Sequence, residues 1–122
     1  MLAIQMTAAG STDVLRVVEL PDPVPAAGQI KVQIKAAGVN PVDTKLRSRG
    51  LLFADALPAV LGCDGAGVVT DCGAGVALFK PGDEVWFCHG GLGREPGNYA
   101  EYAVVDEIVA RSKPASLSFH QA

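Results

Sequence analysis

The sequence is poor in every feature that would name a chemistry outright. It holds three cysteines, Cys63, Cys72 and Cys88. An odd number argues against a closed disulfide framework, and no two of them form a C-x-x-C pair. No apolar run approaches the roughly 18 residues a membrane span needs. The stretch Met1-Leu2-Ala3-Ile4-Gln5-Met6-Thr7 has no basic region, and Gln5 and Thr7 break its apolar run. No secretory leader is therefore expected, and a reducing, cytoplasmic setting is. Charge of one sign is scarce: 10 basic against 13 acidic residues give a net −3. The balance is acidic and there is no basic run, so neither nucleic acid nor an anionic membrane is expected as a partner. A G-x-S-x-G nucleophile turn is absent. So is G-x-G-x-x-G: the nearest approach, Gly91-Leu92-Gly93-Arg94-Glu95-Pro96, ends in proline. The Gly97-Asn98-Tyr99 that follows cannot open a useful helix, so a loop between strands is expected there.

What is present is core material and punctuation. Hydrophobic residues make up 49% and charged residues 19% of 122 positions, enough for one folded domain and too few for two. Fourteen glycines and eight prolines cut the chain into short pieces. Residues 30–36 alternate apolar and polar, as a strand with one wet face does. Residues 2–6, 14–20, 67–70, 84–87, 99–105 and 108–111 are further strand candidates, and Lys80-Pro81-Gly82-Asp83 suits a type II turn before the fourth of them. Asn40-Pro41-Val42-Asp43 starts a helix, with asparagine as cap, proline in the first turn and an early carboxylate. Val42 and Leu46 are expected to share its face, and Gly50 closes it. Short strands spaced by turns predict a mainly β chain, a small barrel or sandwich. Residues 116–122 start a serine-capped helix that stops within about one turn, too short to stand alone.

Metal ligation has candidates in Cys63, Asp64, Cys72, Cys88, His89 and His120, but none forms a recognised local pair. Cys88 and His89 are adjacent, so within a strand they would point to opposite faces. No metal site is expected.

Three blocks carry a resemblance: Ala36-Ala37-Gly38-Val39-Asn40-Pro41-Val42-Asp43-Thr44-Lys45, then Leu57-Pro58-Ala59-Val60-Leu61-Gly62-Cys63-Asp64-Gly65-Ala66-Gly67-Val68-Val69, then Phe79-Lys80-Pro81-Gly82-Asp83-Glu84-Val85. In that order they resemble the zinc-free quinone oxidoreductase (zeta-crystallin-like) branch of the medium-chain dehydrogenase/reductase superfamily. Asn98-Tyr99-Ala100-Glu101-Tyr102 and Lys113-Pro114 also fit. The resemblance implies a GroES-like, partly open β-barrel with one or two short helices over residues 1–115. It implies that residues 116–122 begin a truncated helix leading to a Rossmann domain absent from this chain.

The same resemblance implies chemistry. Where zinc-dependent relatives carry a metal-binding cysteine this sequence has Asn40, and where they carry a hydroxyl that relays the alcohol proton it has Val42. Their histidine ligand falls on Cys63, and only Cys88 remains of a four-cysteine structural lobe. The expected protein is an NADPH-dependent, zinc-independent reductase of a small hydrophobic quinone or enone, with the cofactor bound mainly by the missing domain. The isolated domain is not expected to be active, and the full-length protein is expected to be a homo-oligomer, a dimer. Asn40 and Asp43 are expected to touch the cofactor, Asn40, Cys63, Asp64 and His89 the substrate, and His89 to donate a proton. Duller roles stand beside these: Asn40 and Asp43 as a helix cap, Asp64 as a turn residue, Cys63 as packing. Residues 51–57 either line a hydrophobic cleft or cover the barrel, and the cleft is favoured. A zinc-type alcohol dehydrogenase domain with altered ligands and a free-standing GroES-like binding module are the alternatives.

Overall fold

The computed structural model describes residues 1–53 and 55–122. Among these residues eight strands form two sheets. β1 (Leu2–Met6) lies between β2 (Leu15–Glu19) and the two-residue β4 (Ala59–Val60), antiparallel to both. The larger sheet runs in the order β7 (Tyr102–Asp106), β3 (Gln29–Ala37), β5 (Asp64–Cys72), β6 (Glu84–Cys88) and β8 (Arg111–Ser112). Just before β7, Tyr99, Ala100 and Glu101 cross over to β1: Ile4 N donates to Tyr99 O, Glu101 N to Leu2 O, and Ala3 bridges Ala100. Ile34 N then donates to Glu101 O. One stretch of chain thus serves both sheets and curls them into a partly open barrel, as expected.

The core follows from alternation. Ile30 and Val32 on β3 are fully buried and meet Val69, Val85, Phe87 and Val105 from the neighbouring strands. Lys31 and Gln33 point the other way. A second cluster of Met6, Leu46 and Leu61, with Tyr99, Leu51 and Leu57 against it, fills the space between the smaller sheet and the helix.

α1 (Pro41–Arg49) starts at Asn40 and ends at Gly50, whose N–H reaches Leu46 O. Its buried face is Asp43 with Leu46, whereas Val42 is exposed. The helix rests its first turn on the loop before β5, where a backbone N–H needs an acceptor, so a carboxylate occupies the inward position expected for valine.

Other boundaries moved for local reasons. Val14 belongs to a short 3-10 turn before β2, and β5 extends to both sides of residues 67–70. Residues 99–101 bond across to β1 rather than continuing β7. Of the segment expected as a strand over 108–111, Ile108 and Val109 lie in a 3-10 turn, Glu107–Val109, and only Arg111 is in a strand, β8; the Glu107 carboxylate accepts from Ala77 N and Leu78 N (3.0 and 2.8 Å). The Lys80–Asp83 turn forms as the sequence predicts, with Gly82 at φ +97° and Asp83 N donating to Lys80 O. At the end of the chain Gln121 N and Ala122 N both donate to Ser118 O, and the Gln121 side chain accepts from Ser118 N.

Candidate active site

Three loops meet where β5 and β6 begin and end. The first is the cap of α1. Asn40 N donates to the Asp43 carboxylate at 2.8 Å, and the other Asp43 oxygen accepts from Gly62 N at 3.2 Å. The Asn40 side chain completes a capping box with the Asp43 backbone, and its Nδ2 donates to Asp64 Oδ2 at 2.7 Å. The second loop is Gly62-Cys63 leading into β5. The third is residues 89–98, which returns from β6.

Asn98 locks the second and third loops together. It is 2% exposed, and its Nδ2 donates to both Cys63 O and His89 O (3.0 and 3.3 Å). Its backbone N reaches Gly62 O, and His89 N reaches Cys63 O. These bonds bring Asn40, Cys63, Asp64 and His89 into one neighbourhood, although the first and last are 49 positions apart in the chain.

Asn40 and Asp64 are half-buried, Cys63 is buried, and the His89 side chain is 30% exposed. Asp43, expected to touch the cofactor, is only 3% exposed, with both oxygens engaged on backbone N–H groups beneath the surface. Its place is under the site. His89 and Cys88 do not face opposite ways as a continuous strand would require. β6 stops at Cys88, and both residues line one groove of 380 Å³ together with Cys63, Phe53, Leu92 and Arg94. Phe53 places part of the 51–57 segment on that groove, while Leu51 and Leu57 pack on the second core cluster. That segment therefore does both of the things considered for it, although Ala54 lies outside the described residues.

Residues 91–96 form the loop expected of them, and they supply side chains the sequence did not single out. Glu95 Oε2 sits 2.7 Å from His89 Nε2, and the Arg94 guanidinium lies over the Phe53 ring, 4.1 Å from its centroid. Nothing in the local sequence marked Arg94 or Glu95, because they reach the site only through the return of the loop. Asn98 and Tyr99 stood in a family block without an assigned role.

The electrostatics keep the thiols neutral. Burial, then the nearby Asp43 and Asp64 carboxylates, pushes the Cys63 thiol above its ordinary value. Partial desolvation, then the Asp64 carboxylate opposite it on β5, does the same for Cys88. Tyr99 is raised furthest, by burial and then by the nearby Asp43 carboxylate, and its hydroxyl donates to Gly38 O at 3.1 Å.

The shift of Tyr99 makes a prediction. A folded-state pKa raised above the unfolded one means a stabilising contribution present below pH 10 and lost as pH climbs past it. The Tyr99→Phe domain should lose about 1 kcal/mol at neutral pH, the hydroxyl's hydrogen bond. It should also show a flatter decline than the parent above pH 10. Urea unfolding at stepped pH reads both, and parallel curves would show that Tyr99 ionises freely.

Among the described residues no group of three or more His, Cys, Asp and Glu is placed to hold a metal ion, and no helix is long and apolar enough to cross a membrane.

Comparison with known proteins fits this geometry. The alcohol dehydrogenase GroES-like domain matches residues 26–114. A quinone oxidoreductase of Mus musculus is 36% identical over 122 residues, covering 99% of this chain and 36% of that protein. The crystal structure of Escherichia coli quinone oxidoreductase complexed with NADPH superposes with a TM-score of 0.88 at 36% identity, over 100% of this chain and 36% of the other. An NAD-dependent alcohol dehydrogenase superposes at 0.91 with 37% identity, over 98% and 41%. Trans-enoyl reductases match as well. The chain spans from 26% to 36% of the length of the first curated relatives it matches. It belongs to the alcohol dehydrogenase GroES-like domain family, within the medium-chain dehydrogenase/reductase superfamily.

Proposed function

We propose that this chain is the acceptor-side domain of an NADPH-dependent reductase of quinones or enones that works without zinc. The observation that carries this reading is the Asn40–Asp64 pair beside the groove lined by Cys63, Cys88 and His89. The donor set supports the zinc-free part. Asn40 offers no ligand in place of a thiolate and spends its amide N–H on Asp64, and among the described residues no group of three or more His, Cys, Asp and Glu is placed to hold the ion, which supports a site that works without a catalytic zinc. Quinone oxidoreductase relatives support the substrate class, and the NADPH complex of one of them supports the cofactor.

The chemistry asks little of the protein beyond placement. NADPH, held mainly by residues outside this chain, supplies hydride. A conjugated acceptor delocalises the incoming electron pair, so no Lewis acid is needed to prepare it, unlike an alcohol. The groove orients the acceptor against the apolar side chains of Phe53 and Leu92. Hydride addition leaves an enolate or quinol anion that needs one proton. His89, steadied by Glu95, borders the groove and serves as the donor. Asn40 and Asp64 face the nicotinamide side, with Asp43 and Asn98 as positioning residues below them. The full-length protein is proposed to be a cytoplasmic homodimer.

The test uses the full-length protein. Nicotinamide oxidation with a naphthoquinone should be faster with NADPH than with NADH, and should survive prolonged chelation with no metal found by elemental analysis. The His89→Gln variant should lose kcat by about a hundredfold, the ordinary share of a general acid. Loss of activity on chelation with recovery on adding zinc would instead establish the alcohol dehydrogenase alternative.

A further inference from the structure

Arg94 is the one charged side chain on the 380 Å³ groove that no partner of opposite sign takes up among the described residues. Glu95, its neighbour in sequence, is already bound to His89 at 2.7 Å. The two thiols on the wall are held towards the neutral form. The one carboxylate on the lining, Glu95, is thus engaged by His89 and makes no ion pair with Arg94.

The side chain is also held in place. Its guanidinium stacks on Phe53 at 4.1 Å, which fixes the planar fork and lowers the entropy lost when an anion binds. The loop carrying it is braced at both ends: Gly91 N donates to Glu95 O, and Gly97 N to Val60 O. The groove volume is at the lower end of ligand sites, which run from about 300 to 1,000 Å³, so it suits a compact acceptor.

Resting on the reductase reading above, we infer that Arg94 selects acceptors carrying an anionic substituent, a carboxylate, sulfonate or phosphate, next to the conjugated ring or alkene. Phe53 and Leu92 clamp the apolar part of such a molecule while the Arg94 fork takes the anion. Arg94 is a specificity-determining residue, and it takes no part in hydride or proton transfer.

The experiment compares two acceptors on the full-length protein: a naphthoquinone, and the same naphthoquinone bearing one ring sulfonate. The ratio of their kcat/KM values in each variant cancels their different intrinsic reactivity. For Arg94→Met, which keeps the aliphatic stem, that ratio should shift about thirtyfold against the sulfonate, chiefly through KM. Arg94→Lys, which keeps the charge and loses the fork, should recover part of the shift. An unchanged ratio in Arg94→Met, with both acceptors still reduced, overturns the inference and leaves the reductase reading intact. Failure of the parent protein to reduce either acceptor overturns the reductase reading, and this inference with it.

Discussion

The Asp43→Ala domain should melt roughly 8–15 °C below its parent, a loss of about 2–4 kcal/mol. Two hydrogen bonds to a carboxylate disappear together: Asn40 N at 2.8 Å and Gly62 N at 3.2 Å. They are not equivalent. Asn40 is half-buried, and water can replace its lost acceptor. Gly62 N lies in the interior, where an orphaned N–H carries the full desolvation penalty. Asp43→Asn keeps one acceptor oxygen and should lose about half as much. Calorimetry at neutral pH separates the three proteins. A loss under about 1 kcal/mol in Asp43→Ala would show that the helix cap and the Gly62 loop hold their places without the carboxylate.

Gly67→Ala should be at least as damaging. A Cβ there would lie 2.0 Å from Gln33 O and 2.9 Å from a Val32 methyl carbon. The first is backbone in the adjoining strand β3, so no side-chain rotation relieves it. β3 and β5 would have to separate at the centre of the larger sheet, beside the register shift between Ile34 and Ala36. The expected cost is at least about 3 kcal/mol, in the range of severe overpacking. Because β5 begins at Asp64, the same displacement should reach the site. A loss of amide protection at Gly65 and Ala66 by hydrogen exchange, alongside a lower denaturation midpoint, is the expected pair of results. Full protection with unchanged stability would mean the two strands do not approach so closely.

How far the sequence could be read depended on whether a feature was local. The helix start at Asn40-Pro41, the type II turn at 80–83 and the alternation of β3 are each written within a few residues, and each formed where expected. Alternation could not show that residues 99–101 leave β7 to bond with β1, because that choice is made by a partner nearly a hundred positions away. Nor could the inward face of α1 be read correctly. Helical spacing favoured Val42, but the unpaired N–H of Gly62 decided for Asp43. Within the site, the blocks around Asn40 and Gly62-Cys63-Asp64 were visible through their resemblance to a family. The roles of Asn98, Arg94 and Glu95 were not, since a buried amide joining two loops and a cation stacked on a distant ring have no one-dimensional signature.

The crossing of residues 99–101 between the two sheets also bears on how the protein is made. Four-fifths of the domain emerges from the ribosome before the piece that joins its halves exists. Until then the β7 side of β3 presents a row of unpaired backbone groups, and Leu2 and Ile4 of β1 lack their partners, the kind of edge that recruits other chains. Such distant pairing closes slowly, and the open state is exposed in the meantime. A translation product halted before Tyr99 would keep those edges permanently bare, so premature arrest in this stretch yields a sticky fragment instead of a smaller folded domain.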